Sequence, residues 1–197
     1  MTIDDQADDD ETLEALQPDP TVLVCGSAAV ALISAATLPW PHALASTVLG
    51  TLMVAGADVD ARNFLLPDVV TGGALFAGLV ATTVLDPFDR WSALTTALGN
   101  AILVAAALWL LRGTYQWLRQ REGLGLGDVK LAAAIGAWLP LHMVPLCFTL
   151  ATSAALIAVL LARLRNHSAG RTAKLPFGAF LCPALWLVDY AARLLAL

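Results

Sequence analysis

The chain has 197 residues, 58% of them hydrophobic and 14% charged, with a mean hydropathy of +0.73. A soluble domain carries about 25% charged residues, so this composition excludes an ordinary water-covered globule and points to a polytopic membrane protein. The net charge of −5 belongs to one end: residues 1–20 hold eight acids and no base, which leaves eight acids against eleven bases in the rest.

Residues 1–20 are polar, charged and poor in apolar side chains. Such a segment buries too little surface to offset the entropy of ordering, and it reads as a disordered acidic arm. It lacks the positive n-region of a cleaved signal peptide. Residues 21–197 then form one membrane-embedded domain. Hydrophobic segments fall at about 21–38, 43–57, 69–85, 91–111, 129–143, 145–163 and 176–196. The expected fold is an all-α bundle of about 6–7 transmembrane helices, with the fifth segment short enough to be a half-span. Small residues recur, as in Gly72-Gly73-Ala74, and allow close helix contact where apolar burial gives no net drive.

Lys and Arg fix the expected orientation. With seven helices, nine of the eleven bases fall on one side: Arg62, Arg112, Arg119, Arg121, Lys130, Arg163, Arg165, Arg171 and Lys174. That side is read as cytoplasmic, and it takes the N-terminal tail with it. Cys25, Cys147 and Cys182 are widely spaced inside apolar runs and form no C-x-x-C pair, so neither a zinc ribbon nor a disulfide framework is indicated. His42, His142 and His167 share no helix face. No metal and no cofactor is expected. Trp40, Trp91, Tyr115, Trp117 and Trp138 lie near predicted helix ends and read as an interfacial belt. Asp189 falls inside the last segment, four residues before Arg193, and reads as its ion-pair partner.

The chemistry-bearing candidates are aspartates at helix mouths. The loop 57–68 contains Asp58 and Asp60 and ends in Pro67-Asp68, with Asp68 placed to cap the third helix. Further on, Glu122-Gly123-Leu124-Gly125-Leu126-Gly127-Asp128-Val129-Lys130 leads into the fifth helix. Alternate glycines permit unusual torsions and close approach of a second strand. The Walker A pattern is absent. Asp128 alone could be a helix cap, with Lys130 snorkelling to the interface. Together with Asp60 it could form a carboxyl pair. Two such groups in one site do not both ionise easily and can share a proton, which suits acid–base hydrolysis of a peptide.

These segments resemble the bacterial type IV prepilin peptidases. Asp60 to Asp68, D-A-R-N-F-L-L-P-D, is similar to their D-x-x-x-x-x-[LI]-P-[DN] stretch; residues 122–139 resemble their G-x-G-D segment; and Leu175-Pro176-Phe177-Gly178 resembles their I-P-F-G-P element, with Ala179 in place of the final proline. The resemblance implies a membrane aspartic endopeptidase with Asp60 and Asp128 as the catalytic pair. Gly125, Gly127, Lys130, Pro67 and Asp68 are expected as supporting or substrate-loop residues. The implied partners are a prepilin or pseudopilin with a basic leader ending in Gly, and the lipid bilayer; nucleic acid is not among them. Bifunctional members carry a cytosolic C-x-x-C insert associated with N-methyl transfer, which this chain lacks. Two other readings remain open: an inactive relative serving pilus or secretion assembly, and a small ion-coupled transporter subunit that uses membrane carboxylates.

Overall fold

The computed structural model describes residues 17–86, 88–119, 125–165 and 175–196. They form seven α-helices: α1 Pro20–Thr37, α2 Trp40–Asn63, α3 Asp68–Leu85, α4 Arg90–Arg119, α5 Leu126–Trp138, α6 Val144–Arg165 and α7 Gly178–Leu195. No strand occurs among the described residues. Six helices are long and apolar enough to cross a membrane. The exception is α5, whose 13 residues rise about 20 Å, short of the roughly 30 Å hydrocarbon core. Most of the acidic arm, residues 1–16, lies outside the described residues. Its last part is tied down: Asp19 caps α1 by accepting the Thr21 N–H at 2.8 Å, and its own N–H donates to Asp58 at 2.7 Å.

The short helix is the centre of the bundle. It packs against α3 and α4, and Leu131, Ala132, Ala134 and Ile135 on it are fully buried. Gly136 lets α4 come close: a Cβ there would lie 2.5 Å from the Asn100 carbonyl oxygen. On the other flank α2 packs between α1 and α7, while α6 packs mainly on α7. Outward faces carry Leu, Val, Phe and Trp in the open, as lipid-facing surfaces do.

The segment boundaries shift in an informative way. The second helix does not stop at residue 57 but runs to Asn63, so Asp60 stands on its last turn rather than in a loop. Polar residues there do not break a helix, because Asp58 and Arg62 form an i,i+4 ion pair along it. The stop comes at Phe64, a left-handed cap with φ of 57° whose N–H bonds back to the Asp60 carbonyl at 2.9 Å. The fourth helix likewise continues past residue 111 to Arg119, and the fifth ends at Trp138 rather than 143.

Trp138 departs from the expected belt. It is only 6% exposed, its indole N–H donates to the Ala74 carbonyl at 2.7 Å, and the Arg193 guanidinium lies 5.5 Å from its ring centroid. Trp40, Trp91 and Trp117 are exposed near helix ends. Arg193 also donates to Asp189 at 2.7 Å, the i,i+4 pair read from the sequence, and lies 3.1 Å from His42 Nδ1. This polar knot joins α2, α5 and α7 at one end of the bundle.

Candidate active site

At the other end, the last turn of α2 meets the first turn of α5. A cavity of about 270 Å³ opens there, lined by Asp60 and Asp128 together with Phe64, Leu65, Leu66, Asp68, Gly125, Leu126, Gly127 and Lys130. The two aspartates are 5% and 9% exposed. Every expected site residue except Pro67 lines this one cavity; Pro67 is the N-cap of α3 immediately behind it. A larger cavity of about 420 Å³ lies between α3, α4 and the far end of α5. Its acids, Asp86 and Asp89, are occupied in turn and cap bonds to the backbone N–H groups of Phe88, Asp89, Trp91 and Ser92. The chemistry-bearing cavity is therefore the smaller one.

Each carboxyl stands against a helix start. Asp60 Oδ2 accepts the Ala179 N–H at 2.7 Å, and the Gly178 amide beside it also favours the charged carboxyl. Both amides belong to the first turn of α7, whose own N-cap Phe177 supplies no side-chain bond. Asp60 thus satisfies amides that a helix start leaves without intrahelical partners. Asp128 is not the N-cap of α5. Gly125 is the cap, and Asp128 stands three residues later on the same first turn, with its carboxyl beside Gly125. Burial first, and the Asp60 carboxylate second, push the Asp128 carboxyl up to about 6. Among the described residues neither aspartate takes part in an ion pair.

The glycines act through space rather than torsion. No described glycine has a positive φ, and Gly125 sits at −68°. Gly127 faces Leu66, where an added Cβ would lie 2.9 Å from the Leu66 Cβ. That contact closes the cavity wall between the α2–α3 joint and α5. Gly178 is as constrained: a Cβ there would collide with Leu66 and stand 2.9 Å from Asp60 Oδ2. Glu122, Gly123 and Leu124 of the same motif lie outside the described residues.

Asp68 is corrected. It is the first residue of α3, with Pro67 as the cap, and its side chain makes no cap bond. Its carboxylate pairs instead with Lys130 of α5, which therefore does not snorkel free. Asp68 opens α3 and Lys130 is the fifth residue of α5, so the starts of the two helices meet through this exposed pair. Two groups went unread in the sequence. The Gly178 and Ala179 amides are backbone atoms, and only their place after Leu175-Pro176-Phe177 hinted at a role. The apolar wall of Phe64, Leu65 and Leu66 was visible as residues but not as cavity lining.

Among the described residues no group of three His, Cys, Asp or Glu side chains comes together as a metal ion would need. The arrangement is a pair of carboxyls, buried, electrostatically coupled and open to a half-apolar cleft. Such a pair can hold one proton between its members, and water and a carbonyl can be activated together there.

Comparison with known proteins agrees with this class of site. Residues 47–161 match the type IV leader peptidase family, and the chain belongs to that family. It is 35% identical over 130 residues to a prepilin leader peptidase/N-methyltransferase of Pseudomonas aeruginosa, covering 66% of this chain and 43% of that protein. It is 37% identical over 135 residues to the leader peptidase HopD of Escherichia coli, covering 68% and 84%. A prepilin leader peptidase/N-methyltransferase of Dickeya chrysanthemi is 38% identical over 151 residues, covering 74% and 51%. The chain thus spans about half the length of the relatives whose names include a methyltransferase. No solved structure matches it.

Proposed function

We propose that this multi-pass membrane protein is an aspartic endopeptidase that removes the leader peptide of a type IV prepilin or pseudopilin at the cytoplasmic face of the bacterial inner membrane. The observation that carries the reading is the meeting of Asp60 and Asp128, from two different helices, in one cavity whose lysine, Lys130, is paired with Asp68 rather than with either of them. One carboxylate draws a proton from water, and the water oxygen attacks the scissile carbonyl. The other carboxylic acid donates to the carbonyl oxygen. The roles then exchange as the amine leaves. Family membership supplies the substrate class, and the cationic loops on the side of the pair support the cytoplasmic placement. The N-terminus takes the same side. Asp60→Asn and Asp128→Asn should each lower cleavage of a co-expressed prepilin by about a thousandfold or more while protein level holds. Normal cleavage by Asp128→Asn would falsify the assignment.

Methyl transfer is not part of the proposal. Only Leu38 and Pro39 separate α1 from α2, and no C-x-x-C pair occurs in the chain. The trimmed product should carry a free N-terminus when the purified protein is supplied with S-adenosylmethionine. Mass spectrometry of the product checks this, and a methyl gain dependent on this chain alone overturns it.

A further inference from the structure

The peptidase reading leaves open which aspartate acts first as the base. The two carboxyls are not held alike. Asp60 accepts the Ala179 N–H at 2.7 Å at the start of an 18-residue helix, and the Gly178 amide beside it also favours the charged carboxyl. Asp128 has only a weaker influence from the Gly125 amide, across the first turn of its own 13-residue helix. Charge-assisted bonds to backbone N–H favour the ionised carboxyl, and a helix start adds its partial positive charge. Space reinforces the choice. Position 178 admits no side chain, because a Cβ would press on Asp60 Oδ2 and on Leu66. The amides can reach the carboxylate only because residue 178 is glycine.

Resting on the dyad reading above, we propose that the Gly178–Ala179 amides are positioning groups that select Asp60 as the ionised member, so that Asp60 takes the proton from water while Asp128 holds the proton given to the carbonyl oxygen. The balance is complete. Water loses a proton to Asp60 and its oxygen bonds to the carbonyl carbon. The Asp128 proton goes to the carbonyl oxygen, giving a gem-diol. Asp60 then protonates the amide nitrogen, the C–N bond breaks, and Asp128 recovers a proton from one diol hydroxyl. The other titratable groups at this end do not compete. The Cys182 thiol from α7 is fully buried, and the cations Arg62 and Lys130 are paired with Asp58 and Asp68.

The test removes one donor. Position 179 lies in the first turn of α7, where proline is tolerated. Ala179→Pro deletes the N–H, and an ester linkage introduced with lactic acid at position 179 deletes it with the side chain unchanged. Cleavage of a synthetic peptide with a basic leader ending in Gly before an apolar segment is followed in detergent from pH 4 to 9. We expect kcat to fall by about tenfold for loss of one charge-assisted bond, with KM unchanged and the acidic limb displaced to higher pH. If Asp128 were the base, loss of this bond would favour a protonated Asp60, and kcat would hold or rise with no upward displacement of that limb. Either of those results overturns the assignment. The ester form decides the matter if the proline form fails to fold. Inactive Asp60→Asn and Asp128→Asn proteins beside an unshifted ester form would sink this inference and leave the peptidase reading standing. Active ones would sink the peptidase reading itself.

Discussion

The two ends of the bundle each bury aspartate, and they treat it in opposite ways. At one end Asp189 is 2% exposed and bound to Arg193, which also reaches His42 and the face of Trp138. At the other, Asp60 and Asp128 are nearly as buried but face each other and backbone amides. A buried acid with a cation is a joint between helices. Buried acids without one store an unfavourable electrostatic state, which a fold retains only when the state has a use. That difference is the ground for proposing a structural role for Asp189 and a catalytic one for Asp60 and Asp128.

The contrast can be broken first at its structural end. Asp189→Ala leaves Arg193 buried without its partner and should lower unfolding stability in detergent by about 3–5 kcal/mol. The double change Asp189→Leu with Arg193→Met should recover most of that loss and keep cleavage activity. A double variant that folds well but does not cleave would show that this end is not merely structural.

The functional end should respond with the opposite sign. Asp128 stands in a helix too short to cross the membrane, and burial beside the Asp60 carboxylate pushes its folded carboxyl up to about 6, from an ordinary value of about 3.8. Between those two values the folded state binds more protons than the unfolded state, so stability falls as pH rises through this window. Asp128→Asn removes that loss. At pH 7 it should be more stable than the parent by on the order of 2–3 kcal/mol, and below about pH 4 the difference should vanish. Thermal unfolding at the two pH values measures it; a destabilised Asp128→Asn protein at pH 7 contradicts the picture.

The smallest effect belongs to the rim. The Asp68–Lys130 pair is half to three-quarters exposed on its side chains. Asp68→Asn should cost less than about 1 kcal/mol, as exposed pairs do, and should retain measurable cleavage. Loss of activity as complete as for Asp60→Asn would move Asp68 into the reacting set.

Much of this could be read from the chain. Apolar runs gave all seven helices, and the short run before residue 143 gave the one that does not span. The aspartates of the cavity were visible because acids at membrane helix mouths are costly. The failures share a cause. Asp60 was placed in a loop because Asp58, Asp60 and Arg62 read as polar punctuation, whereas an i,i+4 pair keeps them helical. Asp68 was read as a cap from local preference, but a lysine 62 residues away claims its carboxylate. Trp138 was read as a belt residue from its place at a helix end, yet Ala74 and Arg193 draw it inward. Local pattern does not carry partners that are distant in sequence. Nor does it show backbone donors, which is why the Ala179 amide was missed.

The brevity of α5 has a consequence for the shape of the bundle. A helix of 13 residues covers about two-thirds of an average hydrocarbon core, so one of its ends stops roughly 10 Å short of an interface. Its Gly125 to Asp128 end meets the last turn of the 24-residue α2, so the shortfall falls at the Trp138 end, where the larger cavity opens. The bundle is hollowed on one face by that shortfall, and the carboxyl pair is reached from the other.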